Sequence, residues 1–387
     1  MQFGDYAEAY WRFQNGGEEN YYAQRYTVEF IASLAKRDDI ESITVISLAP
    51  DAVSAELPNG LRTIGLELYP QRQRPRFREL VAAVKDSRPT HLIVMSPIAR
   101  LIYCGLSAGI PTLPMFADSF RARGLWTRVR VWSLVSLLNH PAVTVVANHN
   151  LAASLDLKRI GVHPSKIVPF DWPALLSPGD YAPKDPSTGN GPFRLLFVGS
   201  LIEAKGVGDA IVGLGHLRRR GRNVTLTLIG RGDSERFQSL AIREQIEPYV
   251  SFAGPKSHKE VLAAMRDHDA VLVPSHWAFP EGLPMTIYES LCVRTPVLVS
   301  DHPMFAMKIR DRTNALVFPE QNPRALAACV ERLIDSPGLY VQMSNASGMA
   351  LEGYLCPLKF DQLITDFISA SDRSRLTEYT LGRHAYV

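Results

Sequence analysis

Twice along this chain, short β-branched runs alternate with helix-period segments, and between the two series lies a stretch that suits neither. The first series has strand patterns at Ile43–Ser47, Thr63–Leu66, His91–Met95, Thr112–Phe116 and Val143–Ala147, with helical patterns at Glu18–Lys36 and Phe77–Asp86. Strands that alternate with helices are joined by crossovers, so the sheet is expected to be parallel with helices on both faces. The interruption, Leu176–Pro192, is rich in Pro, Gly, Ser and Asp and reads as a linker. The alternation then restarts with strand patterns at Phe193–Val198, Val224–Ile229, Val250–Phe252, Ala270–Pro274, Pro296–Ser300 and Ala315–Phe318. Ser257 and Glu260 ahead of Val261–Met265 form a capping box, and Asn322-Pro323 opens the helix Arg324–Asp335. The reading is α/β, two Rossmann-like doubly wound domains in tandem, at 1–180 and 190–352.

A chain of 387 residues accommodates that division, and with 46% apolar and 21% charged residues it can bury a core in each half. The net charge of +3 carries no global basic footprint, so nucleic acid is not an expected partner. Cys104, Cys292, Cys329 and Cys356 are far apart and form no zinc-type spacing. The longest run without Lys, Arg, Asp or Glu, Val131–Leu155, contains Asn139-His140-Pro141 and Asn148-His149-Asn150, which hydrocarbon would not tolerate. The start has no basic region followed by an apolar one, and a cytoplasmic chain with reduced cysteines is expected.

Parallel sheets bind ligands beyond the carboxyl ends of their strands. After Phe193–Val198 comes Gly199-Ser200, then Lys205-Gly206 and the helix Val207–Arg220. Such a loop can present amides and a lysine to an anion, although a Gly-Lys-Gly turn is more often a plain cap, and the Walker A spacing is missing. Gly230-Arg231-Gly232 follows the next strand and serves equally well as an ordinary turn. The most informative stretch follows Ala270–Pro274: Ser275, then Glu281-Gly282-Leu283-Pro284-Met285-Thr286 and Glu289. Pro284 is expected in the first turn of a helix reaching about Val293, with the amides of Leu283, Met285 and Thr286 facing a ligand. Two carboxylates eight residues apart could accept hydrogen bonds from sugar hydroxyls at two points along one ligand. Alternatively, Glu281 complements the helix dipole and Glu289 lies on a solvated face.

Pro274-Ser275, Glu281-Gly282, Pro284 and Glu289 together resemble the E-x7-E signature of retaining GT-B glycosyltransferases, in the form of glycosyltransferase family 4 (glycosyl transferases group 1). Lys205-Gly206, Ile229-Gly230-Arg231-Gly232, Thr295–Asp301 and Asn322–Pro337 resemble further family segments, and Gly16-Gly17 resembles its amino-terminal glycine pair. The resemblance is dense over 193–337 and sparse before it. It implies the GT-B fold, two Rossmann-like domains facing each other across a cleft, with the tail 353–387 a helix crossing back to the first domain. It implies an amino-terminal acceptor domain and a carboxy-terminal domain for a UDP-, GDP- or ADP-linked sugar. Glu281 would hold a donor-sugar hydroxyl, Lys205 would neutralise the leaving diphosphate, and Glu289 would hold the ribose. The amides at Leu283–Thr286 would hold phosphate or sugar, and main-chain groups near Pro255-Lys256 would read the base. No cofactor or metal is implied, since the lysine and helix amides take that role.

The chain departs from the family pattern in three places. The arginine ahead of the lysine is Ser200, with Arg231 and Arg25 as candidate substitutes. The amino-terminal histidine position reads Ala117-Asp118, leaving Asp118 as the candidate catalytic group there. The glycine pair after Ser300-Asp301 is His302-Pro303-Met304-Phe305. Asp267-His268-Asp269 has the D-x-D spacing that holds divalent metal in the other large glycosyltransferase fold, but it sits between a capped helix and a buried strand, where Asp269 reads as a strand-entry residue.

The amino-terminal half is charge-asymmetric. Residues 1–61 hold 4 basic and 10 acidic side chains, and residues 62–130 hold 12 basic and 4 acidic. The basic residues gather at Arg72–Arg78 and at Arg121, Arg123, Arg128 and Arg130, the latter interleaved with Trp126 and Trp132. Such a helix suits an anionic membrane surface, where a lipid-linked acceptor would be presented on the inner face. A partly buried helix with a solvated basic edge fits as well. The expected function is transfer of a sugar from a nucleotide-sugar to a saccharide or lipid-linked acceptor, in glycan, polysaccharide or glycolipid biosynthesis. The alternatives are a 2-epimerase-like isomerase and a non-catalytic nucleotide-sugar-binding relative.

Overall fold

The structure is a computed structural model, described here for residues 2–3, 5–48, 53–58, 60–66, 77–120, 125–186, 191–282, 284–305, 309–352, 355–369 and 373–384. It divides into two compact units, one of Met1–Pro173 with Cys356–Val387 and one of Ala174–Leu355.

In the first unit the elements run β1 (Gln2–Phe3), α1 (Tyr6–Gln14), α2 (Gln24–Leu34), β2 (Ile43–Leu48), β3 (Ala55–Leu57), β4 (Leu61–Leu66), α3 (Phe77–Asp86), β5 (Leu92–Val94), α4 (Ala99–Ser107), β6 (Thr112–Phe116), α5 (Leu125–Leu138), β7 (Val146–His149), α6 (Leu151–Arg159) and β8 (Ile167–Phe170). They make two four-stranded sheets, ordered β1-β2-β4-β3 and β5-β6-β7-β8, parallel except for β3 against β4. In the second unit follow β9 (Phe193–Val198), α7 (Val207–Arg219), β10 (Val224–Ile229), α8 (Ser234–Arg243), β11 (Val250–Gly254), α9 (His258–Asp267), β12 (Ala270–Val273), α10 (Met285–Cys292), β13 (Val297–Ser300), β14 (Leu316–Phe318), α11 (Pro323–Asp335) and α12 (Pro337–Glu352). The last helix, α13 (Phe360–Ile368), belongs to the first unit: Phe360 and Leu363 pack with Phe170, and Lys359 bridges to Asp171.

The second sheet is wholly parallel and ordered β11-β10-β9-β12-β13-β14. This is the doubly wound order, and its switch point lies between β9 and β12, where the crossovers diverge to opposite faces and leave a crevice. The strands are buried on both faces: Leu195, Phe197, Leu226, Leu228 and Leu272 pack with Leu214, Leu217, Leu326 and Val330 of α7 and α11. Each such side chain contributes about 1.5–3 kcal/mol of hydrophobic stabilisation, which fixes the loops beyond the strand ends.

Local chemistry revises three expectations. The helix over Glu18–Lys36 is confined to Gln24–Leu34, because Ala23 is left-handed at φ 59° and the Gln24 carboxamide accepts the Asn20 amide, closing a turn instead. Gly16-Gly17 therefore follows the helix α1 and does not open α2. The segment from Leu176 is also more tightly held than its composition suggests. The Leu176 carbonyl accepts from the Tyr288 hydroxyl, and Arg294 Nε donates to the Pro178 carbonyl at 3.0 Å. Lys184 Nζ donates to the carbonyls of Arg266 (2.7 Å) and His268, and burial lowers its pKa to about 8. These carbonyls lie at helix C-terminal ends, where a cation offsets the dipole.

Candidate functional site

Two loops converge at the switch point. One follows β9 and contains Gly199 to Gly206; the other follows β12 and contains Ser275 to Pro284. They meet at Gly206, whose φ is 74° and where an added Cβ would stand 2.1 Å from the Pro274 carbonyl oxygen. Only glycine satisfies both constraints.

Gly206 follows Lys205, whose Nζ lies 2.5 Å from Glu281 Oε1 and 4.2 Å from the centre of the Phe279 ring. Glu281 is 5% exposed, and the same oxygen accepts from Ser275 Oγ at 2.6 Å. Ser275 is held in turn, since its carbonyl accepts from Ser300 Oγ at 2.6 Å. The carboxylate thus has a fixed orientation and one neighbouring cation, and Oε2 takes part in neither bond. A buried charge without a partner is costly, so Lys205 and Glu281 each stabilise the other's burial.

Pro284 is the N-cap of α10 and does not sit in its first turn: its ψ of 124° is extended, and the helix begins at Met285. The residue before the first helical one needs only extended dihedrals, which proline supplies. No side chain caps this end, and among the described residues no acceptor meets the amides of Met285 or Thr286. Leu283 lies outside the described residues. On α10, Glu289 is buried rather than on a solvated face, and its Oε1 is 3.0 Å from His258 Nε2. His258 opens α9, directly after the capping Ser257. The capping box draws Glu260 onto the Ser257 amide and hydroxyl and lowers its pKa to about 2.

His258 and His276 were not singled out from the sequence. His276 Nε2 lies 2.8 Å from Asp209 Oδ2 on α7, tying the β12 loop to that helix. The signal for both was position, each directly following a serine that belongs to a motif. His302, in place of the family's glycine pair, is buried, with Nε2 3.1 Å from the Phe279 carbonyl oxygen. This ring braces the loop that carries Glu281.

The remaining predicted donor residues are spread along the same sheet edge. Gly230, at φ 149°, packs so closely that a Cβ would sit 1.9 Å from the Gly199 carbonyl oxygen. Ser200 and Arg231 are exposed, and among the described residues the Arg231 guanidinium makes no hydrogen bond or ion pair. Pro255 and Lys256 are exposed beyond β11, and Lys256 pairs with Glu260 at 3.1 Å. Asp269 is a strand-entry residue: its Oδ2 accepts the Arg194 amide at 2.6 Å. Among the described residues no three His, Cys, Asp or Glu side chains cluster as a metal-holding group.

In the first unit, Gly17 is held tightly, its amide on the Arg12 carbonyl and its carbonyl on Arg25 Nη2 at 2.6 Å. Gly16, with φ 76°, makes the turn. Asp118 lies beyond β6. Its carbonyl accepts from Asn148 Nδ2 at 3.0 Å, its carboxyl group meets no described side chain, and burial raises its pKa to about 6. A carboxyl raised above its unfolded value favours folding below about pH 4 and loses that contribution as pH rises through about 6. Asp118→Asn therefore should stabilise the protein by about 2–3 kcal/mol at pH 8 and by well under about 1 kcal/mol at pH 4. Thermal unfolding at the two pH values checks this; an equal shift at both would sink the assignment.

The basic cluster falls partly on α5. Arg121 and Arg123, the side chains of Trp126 and Arg128, and residues 67–76 lie outside the described residues. Arg130 is exposed, and Trp132 is 73% exposed while Leu134, Val135 and Leu138 of the same helix are buried. Trp132 borders a groove of about 530 Å³ with Tyr103, Val81, Lys85 and Arg100, and among the described residues no acidic side chain lines it. No helix among the described residues is long and apolar enough to cross a membrane.

Residues 182–348 match the model of the family described as glycosyl transferases group 1. The amylovoran biosynthesis glycosyltransferase AmsK of Erwinia amylovora is 34% identical over 146 residues, 37% of this chain and 36% of that protein. The sucrose-phosphate synthase of Thermosynechococcus elongatus superposes with a TM-score of 0.67 at 15% identity, over 96% of this chain and 97% of that one. Anabaena Alr3699/HepE, solved with UDP and glucose, gives 0.64 at 15% identity over 84% and 91%. The chain spans about two fifths of the length of the curated relatives it matches. The fold is GT-B, and the chain resembles group 1 glycosyltransferases most closely over its second unit.

Proposed function

We propose that this protein is a retaining glycosyltransferase that moves a sugar from a nucleoside-diphosphate donor to a saccharide or lipid-linked acceptor in glycan or glycolipid biosynthesis. The observation that carries the reading is Glu281 held between Lys205 and Ser275 at the switch point, in the loop that leads into two uncapped amides. Glu281 Oε2 receives a hydroxyl of the donor sugar. Lys205 and the amides of Met285 and Thr286 receive the diphosphate. Negative charge grows on the leaving phosphate as the glycosidic bond breaks, and donors fixed there lower the barrier most. Glu289, oriented by His258, takes the ribose hydroxyls, and Arg231 supplies the cation that Ser200 lacks. Asp118, at the position of the family's amino-terminal histidine, is the candidate catalytic group of the first unit. No metal is required, because the cation and amides meet the phosphate charge.

The identity of the donor is open to a thermal-shift screen with UDP, GDP and ADP and then their sugars, because a ligand that binds only the folded state raises its stability. One nucleotide is expected to raise Tm by several degrees, and the shift should fall at least about tenfold in affinity in His258→Ala. No shift with any of the three would remove the reading. Donor incubated without acceptor should remain unchanged; its conversion would point to an isomerase instead.

Arg130, Lys85, Arg100 and the exposed Trp132 and Tyr103 support peripheral attachment to the inner membrane face, where a lipid-linked acceptor would be met. The protein is expected to sediment with vesicles containing anionic lipid at low salt and to be released at high salt. Equal sedimentation with neutral vesicles would sink the electrostatic account.

A further inference from the structure

In the doubly wound order the first strand lies at the centre of the sheet, between the second and the fourth. The second unit obeys this, with β9 flanked by β10 from Phe193 to Val198 and by β12 from Leu195 to Phe197. In the first unit the strand in that place is β1, and it reaches only Ser47 and Leu48 of β2. The opposite edge of β2 is paired with β4 throughout, from Ile43 to Leu48. Below β1, between Ile43–Ile46 of β2 and His91–Met95 around β5, lies a cavity of about 460 Å³.

Its walls are mainly apolar, and Asp39, Glu41, Arg88 and His91 also line it. Leu34 and Phe360 reach it from one face and Val84 and Leu101 from the other, each from a separate core cluster. A cavity with apolar walls on two faces and a strand edge on its side matches the shape of one extended chain. The register of β1 points into it. Gln2 stands opposite Ser47 and Phe3 opposite Leu48, in parallel. A strand laid along the rest of this edge of β2, opposite Ile46, Val45, Thr44 and Ile43, would span about 13 Å at strand rise.

We propose that this slot is the seat of an extended, apolar polypeptide strand that continues β1 ahead of Gln2 and joins the two four-stranded sheets into one. The strand would alternate side chains between the two clusters, so β-branched and aliphatic residues suit the positions that face them. It would also complete the ladder along β2, whose buried edge otherwise leaves main-chain polar groups without a strand partner. The inference is independent of the glycosyltransferase reading.

The test compares three forms of the chain: as it stands, with six alternating Val and Ile residues fused ahead of Met1, and with six Gly/Ser residues fused there. The apolar extension is expected to slow amide exchange over Ile43–Ile46 by at least about tenfold and to raise Tm by about 5 °C, and the Gly/Ser extension to do neither. Adding Ile93→Arg, which places a charge in the slot, should erase the gain while the extended chain stays folded. Unchanged exchange with the apolar extension overturns the proposal. So does a gain that depends on protein concentration, because the strand would then be entering a second copy.

Discussion

Glu281→Gln is expected to lower kcat for sugar transfer by about a thousandfold while leaving nucleotide binding and the fold in place. Glutamine keeps the shape and can still accept from Ser275 Oγ, but it presents no charge to Lys205 or to the sugar hydroxyl. Loss of one fixed polar group at a developing charge costs about 10²–10³ in rate. Breaking a buried ion pair usually destabilises strongly, but the Lys205 side chain is 19% exposed and can turn to water, so the stability cost should be about 1–2 kcal/mol. Without its counter-charge, Lys205 is more available to a diphosphate, and the thermal shift caused by the nucleotide should persist or grow. Activity within tenfold of the parent, in a folded protein, would remove Glu281 from the reaction.

Gly206→Ala should cost about 3 kcal/mol and abolish nucleotide binding with it. The methyl group would meet the carbonyl oxygen and carbon of Pro274 at 2.1 and 2.7 Å, both backbone atoms of a buried strand end. The left-handed dihedral adds about 1 kcal/mol for any residue with a Cβ, and forced repacking adds about 1–3. At about 2–4 °C per kcal/mol in a unit of this size, Tm should fall by on the order of 10 °C. The two loops of the switch point would separate, moving Lys205 from Glu281. Gly338→Ala is the control, since no atom lies within 4 Å of its added Cβ; an equal loss there would show that the Gly206 contact is not the cause.

Much of the second unit was readable in the sequence because its signals are local. Parallel strands buried on both faces are continuous apolar runs, and Phe193–Val198 and Val224–Ile229 were delimited to the residue. The capping boxes and helix starts at Ser257 and Asn322 also follow from neighbours three residues apart. The first unit was less readable. Its β3 and β8 are three and four residues long, and β1 only two. Strands so short carry too little periodicity to stand out from loops. Ala23 breaks its helix with a left-handed turn that no glycine announces.

The site divides in the same way. Glu281, Glu289, Lys205 and the glycines are spaced along the chain in a pattern that marks them as a set. That the same Glu281 oxygen meets both Lys205 and Ser275 depends on two loops, 76 residues apart at the Lys205–Glu281 contact, sharing one switch point. The pairing of His258 with Glu289 and of His276 with Asp209 likewise joins residues 31 and 67 positions apart. The sequence alone determined the strand order class and the residue types at the loops, because these rest on periodicity and on backbone demands that single residues meet. Only the tertiary structure decided which carboxylate each cation or imidazole serves, and that β1 covers just two residues of β2, because both depend on strands brought together by the sheet and not by neighbours in the chain.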